Sequence, residues 1–321
     1  MEYRRLGRTG IRVSTICLGT MQFGWTADEP ASFAVMSRAV ELGINFVDTA
    51  DIYSRWAPGN AGGESETIIG NWLARSVVDR DSLVIATKVR GRMGLGPNEE
   101  GLSRVHIMRS VEQSLRRLQT DHIDLYQVHF PDDDTPLDET LEALDSLVSA
   151  GKVRYIGCSN YPAWLLAKSL WVSDLRRIAR FDSLQPHYSY VHRTEFEREL
   201  QPLCQDQAIG VIPYSPLAGG FLTGKYRRDG DLPDSARAGG VKKRYMNDRG
   251  FEAVEKLEEI GQDRGATIAQ MAIAWVLANP TVSSAIIGAN SVAQLEETVK
   301  GAEVALTPEE KQSLDEVTAW K

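Results

Sequence analysis

Gly43-Ile44-Asn45-Phe46-Val47-Asp48-Thr49-Ala50 is the stretch on which the fold turns. A short run of β-branched and aromatic residues, opened by glycine and closed by an acid, reads as a buried strand. Asp48 stands at its carboxyl end, and Tyr53 follows five residues later. The same pattern recurs along the chain. Leu83 to Thr87 closes on Lys88, Ile123 to Val128 on His129, Val153 to Cys158 on Ser159 and Asn160, and Gly210 to Pro213 on Tyr214. In a closed parallel barrel the carboxyl ends of the strands converge on one face, where such proteins place their chemistry. A carboxylate, a phenol, an ammonium and an imidazole would then meet at one point.

Further apolar runs near residues 15, 184 and 285 bring the count to eight strands, separated by helical stretches. A spacing of roughly 30 to 40 residues per unit fits an α/β fold of eight βα units, a (β/α)8 TIM barrel. Tyr3 to Leu6 and Ile11 to Val13 flank Gly7-Arg8-Thr9-Gly10 and read as an N-terminal β-hairpin. Leu141, Leu144, Leu147 and Val148 form one helical stripe; Thr135-Pro136-Leu137-Asp138 predicts its start, with Thr135 as cap, and Gly151 its end. Thr267 with Gln270, and Thr307-Pro308 with Glu310, repeat the start signal, and extra helices are expected at the C-terminal end. Arg90 to Gly101 and Leu217 to Asn247 lack periodicity and read as long loops on the catalytic face. No linker or repeat divides the chain, so residues 1–321 are expected to form one domain.

Composition removes several function classes. A net charge of -8 argues against a general nucleic-acid surface, which needs a basic face. Cys17, Cys158 and Cys204 are few, odd in number and widely spaced, which suits reduced thiols in a cytoplasmic protein. No Cys/His spacing suits a metal, so none is expected. No leader-like or membrane-spanning run is present, and no membrane association is expected.

Gly43 to Ala50 with Tyr53 and Ser65-Glu66 resembles the first signature of the aldo-keto reductases. Arg154-Tyr155-Ile156-Gly157-Cys158-Ser159-Asn160-Tyr161 resembles the second. Tyr214-Ser215-Pro216-Leu217-Ala218-Gly219-Gly220 with Leu222-Thr223-Gly224-Lys225-Tyr226 is similar to the cofactor loop of the bacterial and potassium-channel-β-like branches. The resemblance runs from the hairpin to the last helices. It implies a catalytic set of Asp48, Tyr53, Lys88 and His129.

The chemistry of that set can be argued from the residues. Adding hydride to a carbonyl builds negative charge on its oxygen, so an acid must supply a proton. A phenol, with an ordinary pKa near ~10, is a weak acid at neutral pH. An ammonium ~4 Å away, at an effective dielectric of ~20, favours phenolate by about 4 kcal/mol. Burial opposes this. Lys88 is therefore expected to bring Tyr53 towards neutrality, with Asp48 orienting Lys88 and His129 donating to the carbonyl oxygen. Any one of these residues alone would ordinarily be a cap or a solvated side chain. Four complementary types at the ends of three consecutive strands are much harder to obtain by chance.

The resemblance also implies a nicotinamide cofactor held on the barrel, since no GxGxxG follows a strand. Ser159, Asn160 and Gln185 match the carboxamide positions, with Thr20, Met21 and Asp48 beside them. Tyr214 matches the aromatic stacked on the ring. Ser215, Pro216, Leu217, Gly219 and Lys225 match the pyrophosphate segment, and Gly288, Asn290, Gln294, Glu297 and Thr298 the adenosine end. Asn290 and Ser291 are neutral where many relatives carry a cation for the 2′-phosphate, so Lys225 and Arg237 are the candidates for that grip. NADP(H) is favoured, with NAD(H) as the alternative.

Trp25, Trp56 and Phe130 follow strand ends and are expected to line a pocket for a small carbonyl substrate. The competing reading is a cofactor-loaded regulatory subunit like the potassium-channel β-subunits. A metal-dependent sugar isomerase on the same fold lacks a ligand cluster. A homo-oligomer is left open.

Overall fold

The computed structural model describes residues 1–320. β1 (Tyr3–Arg5) and β2 (Arg12–Ser14) form the antiparallel hairpin. Eight parallel strands follow: β3 (Ile16–Gly19), β4 (Phe46–Asp48), β5 (Val84–Val89), β6 (Ile123–Val128), β7 (Val153–Ser159), β8 (Ser183–Gln185), β9 (Gly210–Val211) and β10 (Ala285–Gly288). They pair in chain order, and β10 returns to pair with β3. β9 is short because Pro213 has no N–H to extend a ladder. The seam still closes: Ser283 N–H donates to the Val211 carbonyl at 2.8 Å and Ile286 N–H to that of Pro213 at 3.0 Å. The eight strands are those expected, wrapped as a (β/α)8 barrel.

Alternation along each strand explains both faces of the wall. Val47, Ile85, Tyr126, Ile156, Leu184 and Ile287 point outward into the layer shared with the helices. Cys17, Phe46, Ala86, Leu125, Ile212 and Ile286 pack together inside with Leu6 and Val13 of the hairpin region. The hairpin therefore closes the amino end of the barrel. Its turn fits closely: Gly7 has φ +57°, and a Cβ there would stand 2.4 Å from the Gly210 nitrogen. Two residues beyond each inward apolar side chain come Gly19, Asp48, Lys88, Gln127, Tyr214 and Gly288. The inward face thus changes from apolar to polar within one step of the strand period.

The helices are α1 (Glu29–Glu41), α2 (Glu64–Arg75), α3 (Arg104–Leu118), α4 (Leu137–Ser149), α5 (Ala163–Arg176), α6 (Gln201–Gln207), α7 (Ala238–Tyr245), α8 (Asp248–Arg264), α9 (Ile268–Leu277), α10 (Val292–Val299) and α11 (Pro308–Val317). The capping boxes at Thr267/Gln270 and Thr307/Glu310 form as expected, and Gly151 takes the left-handed conformation after α4. The expected cap at Thr135 does not form. Pro136 is the cap residue, and the Thr135 hydroxyl donates to Asp132 at 2.7 Å instead. The extra helical layer is also not wholly C-terminal. α8 precedes the last strand and meets α11 through Arg264, which donates twice to Glu310 at 2.6 Å. The aperiodic stretch from Leu217 to Asn247 contains α7, a short helix whose weak pattern hid it. No helix of the described residues is long and apolar enough to cross a membrane.

Candidate active site

The inward polar ring is built around Asp48 and Lys88. Asp48 ends β4, and Lys88 lies one residue before the end of β5. The Lys88 ammonium is fully buried and donates to Asp48 Oδ1 at 2.5 Å, to the Thr49 carbonyl at 2.8 Å and to the Tyr53 hydroxyl oxygen at 2.9 Å. Its three donors are thereby matched. Asp48 Oδ2 accepts from Gln127 Nε2 at 3.1 Å and Gln185 Nε2 at 2.8 Å. Burial acts to neutralise Lys88, but Asp48 and Tyr53 more than reverse it, and its pKa is pushed up to about 12.

Tyr53 departs from the expected lowering. Burial outweighs the attraction of Lys88, Asp48 adds to the burial effect, and the phenol lies above its ordinary range. It holds its proton at neutral pH. Because the phenolic oxygen accepts from Lys88, its own hydrogen is free to point elsewhere. His129, directly after β6, stands 5.9 Å from Tyr53 between ring centroids. Burial, with Lys88 and Arg90 nearby, lowers its pKa to about 3, so the imidazole is neutral.

The three expected pocket aromatics gather around Tyr53. Trp56 lies edge-on to both Tyr53 and Trp25, at 6.2 and 5.6 Å, and Phe130 stacks on His129 at 5.1 Å. Trp56 and Phe130 remain about half exposed, at 47% and 48%. The segment from Ser54 to Gly63 is fixed against the loop after β3. Asn60 donates to the Gly24 and Ser54 carbonyls at 2.9 Å, and the Ser54 hydroxyl to that of Phe23 at 2.6 Å. Thr20 lies under the ring, donating to the Asp48 carbonyl at 3.0 Å. Met21 is half-buried in the same loop.

The positions that the sequence resemblance assigns to a cofactor run from β7 round to β10. The Ser159 hydroxyl donates to the Gln185 carbonyl at 2.8 Å. Asn160, at φ +61°, donates to the His129 carbonyl at 3.0 Å and accepts from the Tyr214 hydroxyl at 2.9 Å. Tyr214 stacks on His187 at 5.0 Å with rings 11° apart. Ser215, Ala218, Gly219 and Gly220 all have positive φ in the loop that also holds Pro216 and Leu217. A Cβ on Gly220 would lie 3.3 Å from Lys225 Nζ, so an ammonium stands directly over this glycine turn. Glycine amides beneath a cation make a cradle suited to a phosphate. The residues present fit a phosphate-bearing dinucleotide.

Arg237 stands over Trp25 at 6.0 Å. Burial lowers its pKa, while Tyr53 and Tyr226 oppose that. At the far end of these positions, Asn290 accepts from Thr26 at 2.8 Å, and Gln294 accepts from the Asn290 amide at 2.9 Å. Gly288 abuts Gln22. Two neighbours have structural bonds: Glu297 accepts from Thr267 and Gln270 at 2.9 and 3.0 Å, and Thr298 donates to the Gln294 carbonyl at 2.9 Å.

Gln127 escaped the sequence reading, although it lies two residues after the inward Leu125 and this alternation could have found it. Glu66 also escaped it as a supporting group. It is fully buried, accepting from Thr87 at 2.5 Å and Arg117 at 2.7 Å. Beside it the Asp51 carboxyl is buried with no hydrogen-bond partner among the described residues. Burial, then Glu66, raises its pKa well above the carboxylate range. The protonated form of Asp51 is thereby favoured. The described residues include no group of three or more His, Cys, Asp or Glu side chains arranged to hold a metal ion.

A parallel barrel with a buried lysine–carboxylate–phenol cluster at the carboxyl ends of its strands has the layout of a barrel enzyme, and sequence comparison specifies it further. The aldo/keto reductase family profile matches residues 15–319, and the chain belongs to that family. It is 42% identical to the uncharacterized oxidoreductase YrpG of Bacillus subtilis, covering 99% of this chain and 96% of that protein. It is 34% identical to a probable voltage-gated potassium channel subunit beta of Arabidopsis thaliana, over 96% and 94% of the two chains. It is 35% identical to the versiconal hemiacetal acetate reductase of Aspergillus parasiticus, over 98% and 96%.

Proposed function

We propose that this protein reduces aldehydes or ketones to alcohols with NADPH. The observation that carries this reading is the Tyr53 hydroxyl, which accepts from Lys88 at 2.9 Å and keeps its own proton. When bound, the reduced nicotinamide supplies a hydride equivalent to the carbonyl carbon. Tyr53 gives its proton to the carbonyl oxygen, and the phenolate left behind faces the Lys88 ammonium. Gln127 and Gln185 hold Asp48, and Asp48 holds Lys88. Neutral His129 donates an N–H to the same carbonyl oxygen and orients it. Trp25, Trp56 and Phe130 form an apolar wall that suits an aromatic or medium-chain aldehyde.

Titration of the protein's tryptophan fluorescence with NADPH and NADH, followed by addition of 4-nitrobenzaldehyde, tests this reading. Steady cofactor oxidation supports a reductase. Tight binding without turnover would favour the regulatory reading raised by the similarity to channel β-subunits. No binding of either cofactor would overturn both.

Arg237 and Lys225 are proposed to grip the cofactor phosphates. Arg237→Ala should weaken NADPH binding about tenfold or more and NADH binding much less, as expected when a charge-assisted contact to one phosphate is lost. Equal weakening of both, measured by the same titration, would place the 2′-phosphate grip elsewhere.

The pH profile follows from the signs of the shifts. Tyr53 acts in its protonated form, and its pKa is raised, so kcat for reduction should stay level from roughly pH 6 to 9 and fall only at higher pH. His129 gains charge only near pH 3 and adds no limb at neutral pH. A fall in kcat centred near neutrality would name another proton donor.

A further inference from the structure

Helix α5 carries an apolar surface that the fold itself does not cover. Its inward face is Leu166, Ser169, Leu170 and Ser173, all buried against the barrel. Its outward face shows Trp164, Trp171 and Leu175 to solvent at 65%, 63% and 68% exposure. With Lys168 these residues are spaced four, three and four apart, which places them in one line along the outer surface. The exposed Ala167 lies beside that line and leaves room for close approach. Lys168 forms no ion pair with any described residue. The nearby Arg176 is already engaged by Asp138 and Glu142. Two indoles about two-thirds exposed on one helix are far from the single scattered apolar residue that needs no explanation.

The line is its own complement. Positions 164 and 175, and positions 168 and 171, are symmetric about the middle of the helix. Two copies of α5 laid antiparallel therefore set Trp164 over Leu175 of the second copy and Lys168 over the Trp171 ring of the second copy. Trp164 and Leu175 then form an apolar contact at each end of the seam, and each ammonium meets an indole face, the best cation–π acceptor among the side chains. The contact is isologous, as a two-fold axis requires. A seam of about 17 Å results from eleven residues of helical rise. Roughly 150 Å² from each indole, with Leu175 added, supplies the apolar centre of an interface of about 800 Å² per partner. A second copy meets the line with matching chemistry at each position, indole against leucine at the ends and ammonium against indole in the middle. We propose that α5 is the two-fold interface of a homodimer of this chain. The proposal is independent of the catalytic reading, since none of the four residues belongs to the site.

Sedimentation velocity on the full chain from ~1 to ~100 µM tests it. The wild type should move from one chain mass towards two. Trp171→Glu should remain a monomer throughout, raising Kd at least about tenfold, as loss of a central aromatic anchor does. Its thermal midpoint should match that of the wild type at concentrations where the wild type is monomeric, and any cofactor binding should be unchanged. Leu175→Lys, at a second point of the seam, should act the same way and guards against misfolding of the first variant. The orientation is tested by cysteines, since Cys17, Cys158 and Cys204 are buried. Trp164→Cys combined with Leu175→Cys should oxidise to a covalent dimer, whereas Trp164→Cys alone should not. A wild type that stays monomeric over the whole range would overturn the proposal. So would a dimer that survives both seam substitutions, or efficient cross-linking through position 164 alone.

Discussion

Tyr53→Phe is expected to lower kcat for carbonyl reduction by about 10²- to 10⁴-fold, the range supplied by a positioned general acid. The substitution removes one oxygen and the proton it holds. The ring, its edge-on contacts with Trp56 and His129, and the proposed cofactor positions from Ser159 to Arg237 are left in place. NADPH affinity, read by tryptophan fluorescence, should therefore change by less than about threefold. The result also separates chemistry from binding: a large loss in kcat with unchanged cofactor affinity is what an acid acting only in the transition state produces. Retained turnover in this variant would remove Tyr53 from the mechanism. A parallel loss of cofactor affinity would show that its hydroxyl holds the cofactor.

Lys88→Met is expected to have the largest combined effect, on folding as well as rate. The ammonium is fully buried and paired with an Asp48 side chain that is only 2% exposed. Removing one partner of such a pair leaves a buried carboxylate without its counter-charge, which costs about 3–5 kcal/mol. Gln127 and Gln185 still donate to Asp48, but two neutral amides replace neither the charge nor the 2.5 Å contact. Urea denaturation should show a lower midpoint with an unchanged slope. The double variant with Asp48→Asn should recover part of this loss, because the uncompensated charge is gone. Turnover should not recover in the double variant, since the phenolate would still lack its cation. A Lys88→Met midpoint equal to wild type would mean that Asp48 protonates at little cost, and that the ammonium serves catalysis alone.

Much of the candidate site was legible because strand ends are legible. Asp48, Lys88, His129, Ser159 and Tyr214 each follow a run of apolar residues, and a parallel barrel brings such positions to one face. The eight strands and the two capping boxes were readable for similar reasons, since each rests on local spacing. Other features depend on partners far away in the chain. Thr135 has the composition of a cap, but Asp132 competes for its hydroxyl, and the helix begins one residue later. α8 is helical by pattern, yet its place in the outer layer depends on burial of Phe251, Val254 and Leu257 against elements distant in the chain. Gln127 sits within an apolar run and gains meaning only when Asp48, from another strand, approaches at 3.1 Å.

The balance at Tyr53 shows where the two kinds of information divide. Sequence by itself determined which groups could meet, because strand period and barrel direction are local properties of the chain. It also determined the sign of each influence: an ammonium favours phenolate and burial opposes it. Only the tertiary structure decided which influence is larger. Burial is a property of everything packed around a group, here the Trp56 and His129 rings, and no stretch of residues carries it. The same holds for α5, whose apolar line is plain in the sequence but would ordinarily be read as core. Packing of the opposite face, Leu166 and Leu170, against the barrel is what left Trp164, Trp171 and Leu175 outside.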